Sequence, residues 1–91
     1  MKVILPEQLR KLANNEFEIN VSIAEFETVR ASLNKLEEAF NGFDKRLFNR
    51  GNLNPFVNIY VNGEDIRFLA GLETLVSNED ELSIVPAVAG G

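Results

Sequence analysis

The residues best suited to chemistry lie at the C-terminal end, in the stretch Ile84-Val85-Pro86-Ala87-Val88-Ala89-Gly90-Gly91. Beyond Pro86 no side chain is charged or able to form a hydrogen bond, so the reactive group is the terminal carboxylate of Gly91. The two glycines leave the backbone accessible to a partner from every side. At about 3.3–3.6 Å per residue, an extended segment 86–91 reaches roughly 20 Å. We therefore predict a flexible tail over 86–91 that delivers a carboxylate into a narrow cleft of another protein.

No side chain of the chain itself is expected to catalyse a reaction. The sequence contains no Cys and no His, which excludes a disulfide, a Cys/His zinc site, a Cys nucleophile and a His base. The carboxylates of Glu64-Asp65 and Glu79-Asp80-Glu81 lie in expected turns. Nothing there is expected to bury one carboxylate and raise its pKa above that of its neighbour, as a catalytic acid–base pair requires. The second group also lacks the spaced ligands and the glycine of a calcium loop. We expect no catalytic residue, no metal site and no bound cofactor.

Length and charge narrow the class of partner. A chain of 91 residues with 45% hydrophobic and 25% charged residues is typical of one small globular domain. Its formal net charge of −5 argues against nucleic acid, because phosphate binding needs clustered Lys and Arg. It suits docking on a basic protein surface. Met1–Leu5 is followed at once by Pro6 and Glu7, so we expect no signal segment, no membrane contact and a cytoplasmic location.

Two strands are predicted near the N-terminus. Residues 2–5 form a short run that ends at Pro6, with Ile4 on the outward face. Residues 16–23 alternate strictly between polar and apolar positions, which is the pattern of a half-buried antiparallel strand. The core-facing side chains of the two segments are expected to be Val3, Leu5, Phe17, Ile19, Val21 and Ile23. The two strands are expected to pair as a hairpin with a long loop.

An amphipathic helix follows these strands. Thr28 is expected to cap it, because its hydroxyl can accept a backbone N–H of the first turn. Apolar side chains then recur at three- and four-residue steps, and the helix is expected to end near Asn41-Gly42. These side chains are Val29, Leu33, Leu36, Phe40 and Phe43. Residues 44–55 are rich in turn formers and are predicted to be a connector, in which Arg46 and Arg50 form a small solvated basic pair.

The next element is a predicted β-hairpin. Residues 56–61 have the composition and alternation of a strand, with Tyr60 on the outward face. Asn62-Gly63 is the strongest short hairpin signal in the chain, because a type I′ turn needs positive φ at both positions. Residues 64–68 are predicted to be the return strand of this hairpin.

The remaining residues complete one predicted domain. Residues 71–76 are expected to form a short turn in which Leu72 and Leu75 close the end of the core. The last strand, 82–85, places Val85 outward at the start of the tail. The elements therefore read β-β-α-β-β-β, and a helix with one apolar stripe commonly buries it against one face of a sheet. Residues 1–85 are predicted to form a two-layer α+β domain.

The chain resembles the ubiquitin-like sulfur carriers, most densely from Phe56 to Gly91. These include the small subunit of molybdopterin synthase, the thiamine sulfur carrier, the cysteine-biosynthesis carrier and the archaeal small modifier proteins. The resemblance is carried by the hairpin 57–67, by Gly71-Leu72-Glu73-Thr74, by residues 80–84 and by the tail 86–91, and more loosely by residues 28–40. The hairpin and Ala87 are most similar to the cysteine-type carrier and its archaeal relatives.

This resemblance implies a ubiquitin-like β-grasp, with a mixed sheet of about five strands packed on one main helix. It also implies an E1-like adenylyltransferase and sulfurtransferase that uses MgATP to adenylate the terminal carboxylate, which a sulfur donor converts to a thiocarboxylate. Gly91 would then hold the sulfur, and a sulfur-accepting synthase would receive it. The protein is thus expected to be a cosubstrate of its partner and not an enzyme. The destination of the sulfur stays open among cysteine, molybdopterin, thiamine and thiolated tRNA.

The resemblance further implies roles for the tail and its root. Gly90 lacks a side chain that would obstruct a tight channel, and the tail residues leading to Gly91 are Pro86, Ala87, Val88, Ala89 and Gly90. In the implied strand order, Val85 is the first docking candidate, near Ile4 and Pro6, with Tyr60 on the neighbouring strand. An exposed apolar patch beside a reactive tail would mark a partner site.

Two other functions fit the same residues. One is a ubiquitin-like protein modifier that is joined through Gly91 to lysines of target proteins. The other is a plain β-grasp interaction domain whose tail is inert, since chain ends are often poorly ordered. The tail alone does not distinguish a carrier from a modifier, because both use the same carboxylate.

Overall fold

Within residues 1–87, the part of the chain that the computed structural model describes, nine strands are joined by three α-helices and three 3-10 turns. The strands are β1 (Lys2–Ile4), β2 (Glu18–Asn20), β3 (Glu27–Thr28), β4 (Phe48–Asn49), β5 (Asn52–Leu53), β6 (Val57–Val61), β7 (Glu64–Asp65), β8 (Leu75–Val76) and β9 (Glu81–Pro86). The helices are α1 (Glu7–Arg10), α2 (Val29–Ala39) and α3 (Phe43–Leu47), and the 3-10 turns are Lys11–Ala13, Ile66–Phe68 and Gly71–Glu73.

Five of the strands form one mixed sheet in the order β2-β1-β9-β6-β7. The strands β1 and β2 form the predicted antiparallel hairpin, with Val3 opposite Ile19. The last strand, β9, lies at the centre, parallel to β1 and antiparallel to β6. The two remaining pairs, β3-β8 and β4-β5, are separate two-stranded ribbons. The mixed sheet of about five strands that the resemblance implied is therefore confirmed, and the strand that leads into the tail is its central member.

The helix α2 supplies the second layer of the core. The Thr28 hydroxyl accepts a hydrogen bond from the Ala31 N–H at 3.1 Å, which confirms the predicted cap. The helix buries one stripe, comprising Val29, Ser32, Leu33 and Leu36. The facing side chains of the sheet include Val3, Ile19, Ile59, Leu82 and Ile84, all buried. Ile59, Leu82 and Ile84 belong to adjacent strands, so a change in register would move them off the buried face.

The helix ends earlier than predicted. Phe40 takes an extended conformation (φ −140°, ψ 106°) and ends α2, and Phe43 belongs to the separate helix α3. Gly42 permits this break with φ 109°, a value that side chains rarely tolerate. The carboxylate of Glu37 then accepts hydrogen bonds from the N–H groups of Gly42 (3.1 Å) and Asp44 (2.9 Å). These backbone hydrogen bonds, that of Asp44 above all, lower the pKa of Glu37.

Two apolar side chains predicted to be buried are exposed. Phe17 is 58% exposed because β2 begins only at Glu18, and its ring lies 6.0 Å from the Arg10 guanidinium carbon. Leu75 is 62% exposed, and the adjacent Val76 is buried instead. For Phe17 the alternation of residues 16–23 was extended past the end of β2, whereas Leu75 was expected to close the core from a turn that instead forms β8. Leu72 packs against the core as predicted.

The second hairpin is shorter than predicted. Asn62 and Gly63 both have positive φ, 51° and 86°, as a type I′ turn requires. The return strand β7 contains only Glu64 and Asp65, because the Asp65 carboxylate accepts the Arg67 N–H at 2.9 Å and starts a 3-10 turn. Among residues 1–87, no helix is long and apolar enough to cross a membrane.

The side chain of Asn78 joins the loop before β9 to the segment after β2. Its Oδ1 accepts the Ile23 N–H at 2.7 Å and the Met1 amine at 3.2 Å. Asn78→Ala leaves the Ile23 N–H without this acceptor beside a side chain that is 1% exposed, so we expect a loss of about 1–3 kcal/mol in the free energy of unfolding. Urea denaturation of Asn78→Ala and Asn78→Asp provides the test, because Asp retains an acceptor. Equal stability of the two variants would contradict this role.

Candidate functional site

The root of the tail is held by the central strand of the sheet. Val85 pairs with Asn58 and Pro86 with Val57, so β9 continues one residue past Val85. The Ala87 N–H then donates to the Phe56 carbonyl at 2.8 Å. The tail therefore leaves the sheet along the first residues of β6. The predicted sulfur-carrying residue Gly91 and the tail residues Val88, Ala89 and Gly90 lie outside the described residues.

The outer face of the sheet brings the predicted docking residues around β9. Ser83 is flanked by Ile4 on β1 and by Tyr60 on β6. Val85 lies two residues further along the same face and is 39% exposed. Ile4 and Tyr60 are half-buried, so the patch is apolar but presents limited area. Ile4, Tyr60 and Val85 lie where the implied strand order placed them, whereas Pro6, also half-buried, lies with Ile84 and Pro86 instead. The docking role of all four residues stays a prediction.

An ion pair borders this patch on the edge strand. Asp65 lies opposite Tyr60 and is buried, although it faces away from the core. Its carboxylate accepts hydrogen bonds from Arg67 Nη2 at 2.7 Å and Nε at 3.2 Å, in addition to the Arg67 N–H. These hydrogen bonds to Arg67 lower the pKa of Asp65, and the same pair raises the pKa of Arg67. This arrangement places Arg67, whose side chain is 65% exposed, beside the docking patch.

This ion pair makes stability depend on pH in a defined direction. The folded-state pKa of Asp65 is below its ordinary value of 3.8, so the unfolded chain binds more protons near that pH. The stabilisation is present above pH 3.8 and is lost as the pH falls through the folded-state value. We expect wild type to exceed Asp65→Asn in melting temperature at pH 6, with the gap closing as the pH falls below 3.8 and through the folded-state pKa. In an Arg67→Ala background most of this gap should vanish, and an undiminished gap there would contradict the pairing with Arg67.

The acidic turn before β9 is structural. The Asp80 carboxylate accepts hydrogen bonds from Asn62 Nδ2 at 2.9 Å and from the Ser77 N–H at 2.7 Å. These contacts, with Asn62 first, lower the pKa of Asp80. The Glu81 N–H donates to Asn62 Oδ1 at 2.9 Å, so the hairpin turn is tied to the start of β9. Across residues 1–87 no group of three or more acidic residues is arranged to hold a metal ion.

A groove of about 200 Å³ opens beside the tail root on the helix side of the sheet. We call it the tail-root groove. Its apolar walls are Pro6, Leu9, Phe56, Val57, Ile84 and Pro86, and its polar lining is Gln8, Arg46 and Asn54. Sequence reasoning placed Pro6 and Pro86 near the tail but missed the groove, because its lining comes from four separate segments. Arg46 is exposed, as predicted for the basic pair, yet it lies at this site.

Solved structures with this fold define the class of protein. A chain of the crystal structure of the Amycolatopsis orientalis BexX/CysO complex matches with a TM-score of 0.89 and 38% identity, covering 99% of this chain and 98% of that one. The crystal structure of Mycobacterium tuberculosis CysO matches with a TM-score of 0.87 and 37% identity, covering 96% and 98%. The fold is the predicted ubiquitin-like β-grasp, and the chain is a ubiquitin-like protein of the sulfur carrier and modifier class.

The comparison of sequences is more specific. The ThiS family model matches residues 3–91, and the chain belongs to the ThiS family. The sulfur carrier protein CysO of Mycobacterium tuberculosis is 46% identical over 68 residues, which cover 71% of this chain and 73% of that protein. Small archaeal modifier protein 3 of Haloferax volcanii is 38% identical over 64 residues, covering 70% of each chain. The predicted membership of the sulfur carrier family is thereby confirmed.

Proposed function

We propose that this chain carries sulfur on the carboxylate of Gly91. The observation that carries the proposal is the ThiS family match, which extends through residue 91 and so includes both glycines. The identity to a sulfur carrier protein supports it. The structure adds a physical reason, because the strand that leads into the tail is the central strand of the sheet and holds the tail root in one position.

The proposed reaction takes place on the partner enzyme in two steps. A carboxylate oxygen of Gly91 attacks the α-phosphorus of ATP, pyrophosphate leaves, and an acyl-adenylate forms. Sulfide from a donor then attacks the carbonyl carbon, AMP leaves, and loss of a proton gives the thiocarboxylate. Adenylation is needed because a free carboxylate is a poor electrophile. Mg²⁺, ATP and the catalytic groups belong to the E1-like enzyme, and residues 1–87 supply the docking surface.

The outer-face patch of Val85, Ile4 and Tyr60 is proposed to contact this enzyme. It is continuous with the tail root, so a partner that closes over the tail also meets the patch. The sulfur then passes from Gly91 to an accepting synthase in cofactor or cysteine biosynthesis. The BexX/CysO complex, formed by a structurally similar protein, supports the idea that such domains associate with a partner.

A second candidate function is protein modification. It is favoured by the similarity to small archaeal modifier protein 3. In that case a lysine amine of a target protein would attack the same adenylate or a thioester made from it, and an isopeptide bond to Gly91 would form. Both functions need the same activated carboxylate, and they differ in the nucleophile that completes the reaction.

The test is the intact mass of the purified protein after incubation with its E1-like enzyme, MgATP and a sulfide source. A gain equal to the replacement of one oxygen by sulfur, located at Gly91 by fragmentation, is the expected result. Lysine conjugates without a thiocarboxylate would favour the modifier. If the mass stays unchanged although the same enzyme activates another carrier protein, the proposal that this enzyme loads sulfur onto Gly91 would be overturned.

A further inference from the structure

The tail-root groove has no role in the proposed reaction, yet it adjoins the segment that the partner must grip. Pro86 forms one of its walls, and the next residue, Ala87, is held against Phe56, which forms another. It opens on the helix side of the sheet, whereas the docking patch around Val85 lies on the outer face. A partner that encloses the tail therefore passes over both sides of its root.

The size of the groove indicates what it can hold. Small-molecule and cofactor sites commonly enclose about 300–1,000 Å³, and this groove measures about 200 Å³. Its walls are mainly apolar side chains of β6, β9 and the start of the chain. Those dimensions and that chemistry fit one bulky apolar side chain inserted from a protein surface.

The charge of the groove adds a second requirement. Of the lining residues in the described part of the chain, only Arg46 is charged. Within residues 1–87, the salt bridges involve Arg30, Lys35 and Arg67, and no carboxylate lies within salt-bridge distance of Arg46, so its guanidinium can pair with a partner. An arginine beside an apolar cavity is well suited to a carboxylate, which it can bind through two parallel hydrogen bonds. This local positive charge contrasts with the formal net charge of −5 of the whole chain.

We propose that the tail-root groove receives a segment of the activating enzyme in which a bulky apolar side chain lies next to an aspartate or glutamate. The apolar side chain fills the groove, and the carboxylate pairs with Arg46. The inference rests on the proposed function, since it assigns the occupant to the enzyme that activates Gly91. Because the rest of the chain is acidic, this one pair fixes the orientation of the docked partner.

The experiment compares two charge reversals that change the net charge equally. Arg46→Glu places a carboxylate at the groove, and Lys45→Glu places one on the adjacent exposed position of α3, outside the groove lining. ATP–pyrophosphate exchange by the E1-like enzyme of the same organism is measured against carrier concentration. We expect Arg46→Glu to raise KM about tenfold or more with kcat unchanged, because like charges then oppose each other. Lys45→Glu should change KM by no more than about twofold.

The apolar part is tested in the same assay. Phe56→Ala removes an exposed groove wall, and Phe26→Ala removes a comparably exposed ring that does not line the groove. We expect the first to raise KM about threefold to tenfold, in the range of a partly buried interface aromatic, and the second to have little effect. Circular dichroism confirms that each variant is folded. Equal KM values within the charge pair or within the aromatic pair would overturn the inference while leaving the carrier function intact.

A separate readout distinguishes failure of the proposed function. The ¹⁵N-labelled chain is titrated with the same enzyme without ATP, and amide shifts are followed at Gln8, Leu9 and Asn54. Amide shifts at these residues in the wild-type chain that are absent in Arg46→Glu would support binding of the enzyme in the tail-root groove. If the wild-type chain shows these shifts but gives no pyrophosphate exchange, only the proposed carrier function fails. An enzyme that neither shifts these amides nor activates the chain overturns both.

Discussion

Deletion of Gly91 is expected to abolish ATP–pyrophosphate exchange by the E1-like enzyme while the melting temperature stays unchanged. The reaction needs the carboxylate at the correct distance from the sheet, and a deletion withdraws it by about 3.3–3.6 Å. Misplacement of a reacting atom by about 1 Å can already cost a hundredfold in rate. Every buried residue of the described core precedes Pro86, so folding should not be affected.

The matched control for this deletion is Ala89→Gly, which keeps the length of the tail and both terminal glycines. It should retain exchange within a few-fold of wild type. The deletion variant should still compete with the wild-type chain for the enzyme, because the surface around Val85 and the groove remains intact. Normal activation of the deletion variant would show that Gly91 is not the acceptor, and the interpretation of the chain as an interaction domain with an inert tail would then be preferred.

Phe43→Ala is expected to cause the largest loss of stability. Phe43 is fully buried and is the largest of the fully buried side chains among the described residues. It anchors α3 against the core. Replacing a buried Phe by Ala typically costs about 3–5 kcal/mol, through lost transfer free energy and the cavity that remains. At about 4–8 °C per kcal/mol for a domain of this size, the melting temperature should fall by about 12 °C or more.

Phe40→Ala provides the comparison in the same denaturation experiment. This substitution removes the same atoms as Phe43→Ala, three residues earlier in the chain. The Phe40 side chain, however, is only half-buried at the edge of the core. Its loss should be roughly half that of Phe43→Ala or less, in proportion to the smaller area removed from water. Similar losses for the two variants would mean that α3 is not anchored through Phe43.

The parts of the fold that were predictable from sequence depend on local signals. The Thr28 cap, the Asn62-Gly63 turn and the alternation in β6 each require only neighbouring residues, and all three are confirmed. Strand ends were less predictable. Phe17 continues the alternation of its segment and still accepts the Leu5 N–H at 2.8 Å, but it precedes the first residue of β2 and its side chain is exposed. Periodicity contains no information on where the packed part of a strand ends.

The segment 40–55 was interpreted as a helix end followed by a connector, and it contains α3 and the ribbon β4-β5 instead. The break at Gly42 is stabilised by the Glu37 carboxylate, a side chain on another helix. The ribbon turns at Arg50 and Gly51, where both residues have positive φ. Arg is uncommon in that conformation, so its sequence lacks the usual Asn-Gly or Asp-Gly signal.

The candidate site was predictable only in part. Alternation in the last strand placed Val85 outward, and the strand order implied by the resemblance placed Ile4 and Tyr60 beside it. The tail-root groove was not foreseen, because α1, α3 and the ends of β6 and β9 meet there only after folding. Arg46 was correctly expected to be solvated, but its position beside Pro86 is a property of the tertiary structure.

The central position of β9 also has a kinetic consequence. Its pairing with β1 joins Lys2 to Glu81, so this contact cannot form until all residues through Glu81 have left the ribosome. Such non-local pairing folds slowly. Once formed, strands at the centre of a sheet usually exchange their amide hydrogens only through global unfolding. The tail root would thus have its sheet-bound geometry only in completely folded molecules, and an activating enzyme that recognises this geometry would discriminate against unfolded or damaged chains.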